Sequence, residues 1–366
     1  MTGALRARIP TFAVMVTTAG LIVVLALTFL SPPESGIEKL SVRSQHETQR
    51  ALQEAIASAQ TAASTRLGDV PQPPSVTTGQ NFRTITQRDQ GHLAVVPAES
   101  KIELTKAPIP ELSEPYGEAK TLPKIAEDGR APWQVYSRPA GPVSGKPKAI
   151  IVVAGLGTGK TITNEVVERL PGAVTLVVDA QADELSDILQ QARRAGHETL
   201  LALPAEPFDY PQSDPGPDTL LTNLSANENI RRLRRFMSLG SGYIGLTTLT
   251  GSRYLSVPKS AQILLQESRQ RGLALFDVRL SGRGALLDQA EKDKQPAAGA
   301  DFVVQPDMTL EEIDEILAQT EATALKRGTA VCLIYASPLA IDRLHRWLPT
   351  LPELGILLMP FSAVLK

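Results

Sequence analysis

The chain has 366 residues, 42% of them hydrophobic and 21% charged, enough for one large domain with extensions or for two domains, with a buried core. A net charge of -2 excludes a protein whose main task is to neutralise nucleic-acid phosphates. The single cysteine, Cys332, excludes an intrachain disulfide and a cysteine-based zinc site, and four histidines with 4% aromatics argue against a His-rich metal centre or a broad aromatic groove.

Residues 11–30 carry no charge and are rich in Val, Leu, Ala, Thr and Phe. A helix of that length spans about 30 Å, the thickness of the hydrocarbon core. Arg6 and Arg8 precede the run, which predicts a cytoplasmic tail over 1–10, a single-pass anchor over 11–31 and export of everything beyond. In a bacterium that means the inner membrane, with the remaining chain in the periplasm. The competing reading is a cleaved signal peptide, but its apolar region would be shorter, and no clear A-x-A site follows.

Residues 32–145 hold nearly half of the 28 prolines, with Gln-, Ser- and Thr-rich stretches between them. Proline clusters block continuous helix and sheet, so a disordered or extended linker is predicted, with one short helix over 44–64. Its simplest role is to hold the following part away from the bilayer.

From residue 146 to 366 short apolar runs alternate with amphipathic helical patterns, the signature of βα units. Strands are predicted at 149–153, 174–178, 199–203, 242–246, 273–277, 302–304, 330–335 and 356–359. Helices are predicted at 183–195, 226–237, 260–271, 310–326 and 339–347. Such a repeat predicts an α/β fold, a compact (β/α) barrel with its ligands at the carboxyl ends of the strands.

At the first of those ends stands Ala154-Gly155-Leu156-Gly157-Thr158-Gly159-Lys160-Thr161. It differs from a phosphate-binding P-loop only by Ala154, and Asp179 after the second strand would serve as the acidic partner. Against nucleotide binding stands the predicted exported location, where nucleoside triphosphates are scarce; the bland alternative is a tight turn with Lys160 solvated.

Residues 148–363 carry Ala195-Gly196-His197-Glu198, Leu203-Pro204-Ala205-Glu206-Pro207, Asp209-Tyr210-Pro211, Asp214-Pro215-Gly216-Pro217, Gly251-Ser252-Arg253, Phe276-Asp277-Val278-Arg279 and Trp347-Leu348-Pro349 in that order. This series resembles the divergent polysaccharide deacetylase family, periplasmic relatives of metal-dependent carbohydrate esterases. The resemblance implies a distorted (β/α) barrel, preceded here by the transmembrane helix and the Pro-rich linker, and an ancestral activity that removes acyl groups from glycans. It also implies an Asp-Asp pair before Leu156-Gly157, where this chain has Ala154 and Gly155. A metal-binding His is implied where Leu249 stands, a His-Leu-Pro where Ala202-Leu203-Pro204 stands, and a further His at Tyr335.

Ala, Gly and Leu side chains can neither hold a cation nor act as base or acid. The expectation is therefore a catalytically degenerate domain with no catalytic residues, no metal ligands and no cofactor, the ancestral divalent metal having been lost. Glu206, Asp209, Arg253, Asp277 and Arg279 remain on the expected ligand face and can hydrogen-bond sugar hydroxyls or an acidic polymer; Tyr335 could stack on a sugar. Their bland alternative is loop-organising ion pairs, Asp277–Arg253 or Glu206–Arg279. The run Arg231-Arg232-Leu233-Arg234-Arg235 reads as a solvated helix face, with attraction to anionic glycan or lipid as the sharper reading, and Cys332 as an inert core residue. Three functions follow. The first is a membrane-tethered domain binding an envelope glycan or an envelope protein, with no nucleic-acid partner. The second is an active deacetylase with Asp277, Glu206 and Asp209 around a hard cation. The third is a nucleotide-binding protein using the loop at 155–161.

Overall fold

The computed structural model describes residues 102–140, 145–278 and 285–365. The predicted anchor, the helix at 44–64 and most of the linker lie outside the described residues. Among the described residues no helix is long and apolar enough to cross a membrane.

The chain enters through a small antiparallel hairpin, β1 (Ser113–Tyr116) and β2 (Lys120–Pro123), and a one-turn helix, α1 (Pro132–Val135). Then βα units follow: β3 (Lys148–Leu156), α2 (Lys160–Arg169), β4 (Thr175–Asp179), α3 (Leu185–Ala195), β5 (Thr199–Ala202), α4 (Ala226–Met237) and β6 (Gly245–Thr247). Two helices, α5 (Ser252–Ser256) and α6 (Pro258–Gln270), lead to β7 (Ala274–Asp277), α7 (Ala285–Lys292), β8 (Ala297–Gly299) and β9 (Phe302–Val304). The last elements are α8 (Leu310–Arg327), β10 (Thr329–Tyr335), α9 (Pro338–Trp347) and β11 (Leu357–Met359).

Every pairing in the nine-stranded sheet is parallel, in the order β8-β7-β6-β5-β4-β3-β10-β9, with β11 beside the start of β3. β8 and β9 stand at opposite ends of that order, yet only Ala300 and Asp301 separate them in sequence. The sheet therefore curls until its edges meet across two residues, where the N–H of Ala300 reaches the carbonyl of Asp277 and that of Asp301 the carbonyl of Val331.

Alternation along the strands builds two apolar layers. On β3, Ala149, Ile151 and Val153 face the helices, while Ile150, Val152 and Ala154 face the inside of the curl with Val177, Leu200, Phe276 and Leu333. The helices supply matching stripes: α3 buries Leu185, Leu189 and Ala192 and stops at Gly196, whose φ of +93° is left-handed. α8 opens with a Thr309–Glu312 capping box and buries Ile313, Leu317 and Ala324.

The predicted linker does not run to residue 145, because residues 102–140 fold onto the amino ends of the parallel strands. Leu104, Leu112, Leu122 and Tyr136 are buried there, apolar surface that a disordered spacer would leave in water. Arg193 at the end of α3 clamps this strap, donating to the carbonyls of Thr105 (2.9 Å), Tyr136 (3.1 Å) and Gly242 (2.7 Å) and lying 4.9 Å from the centre of the Tyr136 ring. The backbone of Arg138 donates to Glu198 at 2.8 Å, and Glu198 also accepts from the N–H (3.0 Å) and hydroxyl of Ser362. Arg271 reaches Glu114 in the hairpin as well as Glu267. The C-terminal turn Phe361–Val364 enters the curl from the same end, its Phe361 edge-on to Phe276 at 5.2 Å.

Candidate functional site at the carboxyl ends of the strands

Register defines the row of residues around the mouth. Tyr335 stands opposite Ala154, Asp179 opposite Ala202, Ala202 opposite Thr247, and Thr247 opposite Phe276. Ala154 and Ala202 are buried in the inner apolar cluster, and half-buried Leu249 and Tyr335 pack against it. Four of the five positions where the sequence resemblance implied ligands or a base thus belong to one inner cluster, with no carboxylate or imidazole among them.

Gly155 adds a backbone reason, since its φ of +85° is left-handed, a conformation an aspartate adopts only with strain. Burial pushes the Tyr335 phenol above its ordinary value, so it stays protonated and has no phenolate to accept a proton at neutral pH. Among the described residues no group of three or more His, Cys, Asp and Glu side chains could hold a metal ion. The donor set does not fit the divalent metal that the family resemblance implies.

The charged residues expected on this face are placed differently from one another. Glu206 is buried and spent on its surroundings: its carboxylate accepts from the N–H (2.5 Å) and hydroxyl (2.7 Å) of Thr222 and pairs with Arg253 at 3.3 Å. Among the described residues Glu206–Arg253 is a loop-organising pair, one that joins members of the two pairs expected from sequence. Arg253 keeps a side chain 49% exposed. Asp209 is exposed and accepts from the Ser213 hydroxyl at 2.5 Å. Asp277 is buried at the end of β7, its carbonyl taken by Ala300, and Arg279 lies outside the described residues. Glu206, Asp209 and Asp277 do not gather into the rearranged cation site considered from sequence.

The glycine loop after β3 closes on itself. The N–H of Gly157 donates to the Thr163 hydroxyl at 3.0 Å, which in turn donates to the carbonyl of Gly159 at 2.7 Å. Lys160 pairs with Glu184 in solvent at 3.0 Å, and the Asp179 carboxylate accepts the N–H of Gln181 at 2.8 Å. The Gly157 N–H is thereby turned inward to Thr163 and the Lys160 ammonium toward Glu184, rather than toward a phosphate.

Polar atoms do remain at the mouth. The Thr247 hydroxyl is satisfied by the carbonyl of Phe276 at 2.8 Å, but Oγ1 of Thr248 is buried with no hydrogen-bond partner. The basic run on α4 is neutralised: Arg231 and Arg232 hold Glu228, pulling its carboxyl down to about 2, while Arg234 takes Glu267 and Arg235 takes Asp218. His197 is buried far from the mouth, with Nδ1 2.7 Å from the carbonyl of Val174; desolvation lowers its pKa, so it is a neutral structural imidazole. Burial pushes the Cys332 thiol up to about 12.

Sequence reasoning passed over Phe208, whose side chain is 62% accessible in the loop after β5. Its signal was present as an aromatic inside Pro207-Phe208-Asp209-Tyr210-Pro211, too polar and proline-rich a stretch to bury it. A groove of about 290 Å³, lined by Leu104, Lys106, Gln190, Arg193 and Arg194, belongs to the strap at the opposite end.

The family model described as divergent polysaccharide deacetylase matches residues 151–365. An uncharacterized protein from Agrobacterium tumefaciens C58 superposes with a TM-score of 0.63 at 32% identity, covering 67% of this chain and 99% of its own. A mutant of a CE4 family pseudoenzyme is similar at 12% identity and a TM-score of 0.35, covering 67% of this chain and 75% of its own. Curated proteins give no match.

Proposed function

The chain belongs to the divergent polysaccharide deacetylase family, and from that premise we propose that it is a catalytically degenerate member that binds envelope glycan at the carboxyl ends of its strands. The fold in this reading is the distorted (β/α) barrel of that family. Residues 11–31 anchor it in the inner membrane, and the chain between anchor and strap spaces the barrel into the periplasm. The observation that carries the reading is the apolar inner row of Ala154, Ala202, Leu249 and Tyr335. Metal-assisted deacylation needs oxygen or nitrogen donors to hold the cation and a positioned base for the attacking water, and that row supplies neither. Polar groups around the mouth, Asp209 and Arg253 among them, suit hydroxyl and acetamido groups of a sugar chain without turning it over.

The test uses the full chain in detergent with peptidoglycan sacculi and an N-acetylglucosamine hexamer. Acetate release is followed with added zinc or cobalt and with chelator, and binding by co-sedimentation with sacculi. Co-sedimentation without acetate release is expected. Metal-dependent acetate release that the chelator abolishes would overturn the degenerate reading, and absence of binding to either polymer would overturn the glycan reading.

A further inference from the structure

Phe208 is the one exposed aromatic side chain among the described residues; the other Phe, Tyr and Trp rings there are buried or half-buried. Its backbone is held firmly. The Phe208 N–H donates to the Ser252 hydroxyl at 3.2 Å, and the neighbouring Glu206 carbonyl accepts from the N–H groups of Arg253 (3.1 Å) and Tyr254 (3.0 Å). The Glu206 N–H in turn donates to the carbonyl of Leu220 at 2.9 Å. On its other flank the same loop is tied to the segment after β4, where Gln181 donates to the carbonyl of Pro215 at 2.9 Å.

The loop thus bridges the ends of three consecutive strands and presents one ring to solvent beside exposed Asp209 and half-exposed Arg253. An exposed phenyl on an anchored backbone, with Asp209 next in sequence and Arg253 next to the Ser252 that accepts its N–H, offers groups that complement a pyranose. Its axial C–H groups favour an aromatic plane and its rim of hydroxyls favours carboxylate and guanidinium.

We propose that Phe208 is the stacking platform for a sugar ring, with Asp209 and Arg253 hydrogen-bonding the rim of that ring. This rests on the glycan-binding reading and adds a position to it. With the backbone anchored, only the two side-chain torsions of Phe208 remain to be ordered on binding.

The experiment is calorimetric titration of the full chain with the N-acetylglucosamine hexamer, for wild type, Phe208→Ala and Phe208→Trp. Phe208→Ala should weaken binding about tenfold, the equivalent of one aromatic contact, and Phe208→Trp should retain or strengthen it. Unchanged melting temperatures and a control at exposed Leu354 separate stacking from unfolding. If wild type binds the hexamer and Phe208→Ala binds it equally well, the stacking assignment fails while the glycan reading stands. If wild type binds neither hexamer nor sacculi, the glycan reading itself fails. If Phe208→Ala instead abolishes self-association in sedimentation equilibrium and leaves hexamer affinity untouched, the ring is a protein contact and the assignment is overturned.

Discussion

At the amino ends of the parallel strands Arg138, Arg193, Glu198, Glu267 and Arg271 are buried and each has a partner. At the carboxyl ends the inward row is Ala154, Ala202, Leu249 and Tyr335. In barrels of this kind catalysis is drawn from the carboxyl end and stability from the amino end. Here most of the buried charge lies at the end that binds the strap; at the end that should bear the chemistry the inward row is apolar, and the buried carboxylates Glu206 and Asp277 lie outside that row. A buried charge that loses its partner costs several kcal/mol, so the amino-end network depends on every member being present.

The sharpest way to break that contrast is to remove the strap. A chain beginning at residue 146 takes away Arg138, Glu114 and the carbonyls of Thr105 and Tyr136, together with the apolar cover of Leu104, Leu112 and Leu122. The expected loss exceeds about 5 kcal/mol, comparable to the whole stability of a typical domain. Thermal melts and near-ultraviolet circular dichroism of chains starting at 98 and at 146 decide it. Equal melting temperatures would show that the strap is decoration.

One substitution at each end gives a finer comparison. Burial pulls the Arg193 guanidinium down to about 10, so it remains charged at neutral pH, and Arg193→Met strands three carbonyls. The cost should be about 3 kcal/mol or more. At the other end, Tyr335→Phe removes a hydroxyl from a half-buried ring on the apolar row and should change stability by about 0.5 kcal/mol or less. Urea unfolding of the two variants reads both numbers. A Tyr335→Phe loss as large as that of Arg193→Met would mean that the mouth holds a polar network after all.

How far the sequence disclosed these two ends follows from which signals are local. The strands at 302–304 and 330–335 and the helix at 226–237 came through as apolar runs or amphipathic stripes that tertiary packing did not override. β8 did not, because Ala297, Ala298 and Gly299 carry no strand signature and are paired only through β7. The hairpin was hidden by Pro115 and Pro123, which an unshared edge tolerates. The strap was illegible for a related reason: its order depends on Arg193, Glu198 and Arg271, residues remote in sequence that no local window connects to it. At the mouth, the residue types at 154, 155, 202, 249 and 335 were legible directly. That Glu206 faces Thr222 and Arg253, and that Phe208 faces water, required the loops to be placed.

The smallest expected effect is a pH slope, and it belongs to the amino side of the fold. Desolvation lowers the pKa of His197 below its ordinary 6.5, with hydrogen bonds to the carbonyls of Val174 and Val167 opposing that shift. The unfolded chain therefore binds a proton that the folded chain refuses as pH falls below about 6.5, and stability declines from there down to the lowered folded value. One proton sets a ceiling of about 1.4 kcal/mol per pH unit on this slope. Burial raises the Glu198 carboxyl against the donors of Ser362 and Arg138, so its contribution has the opposite sign, lost as pH rises above about 4.5. Where the two ranges overlap the slopes oppose each other, and His197→Asn should lower the melting temperature at every pH yet remove the His197 share of the acid-side decline. If the variant keeps the wild-type slope, the proton is taken up elsewhere and the neutral structural role of His197 is wrong.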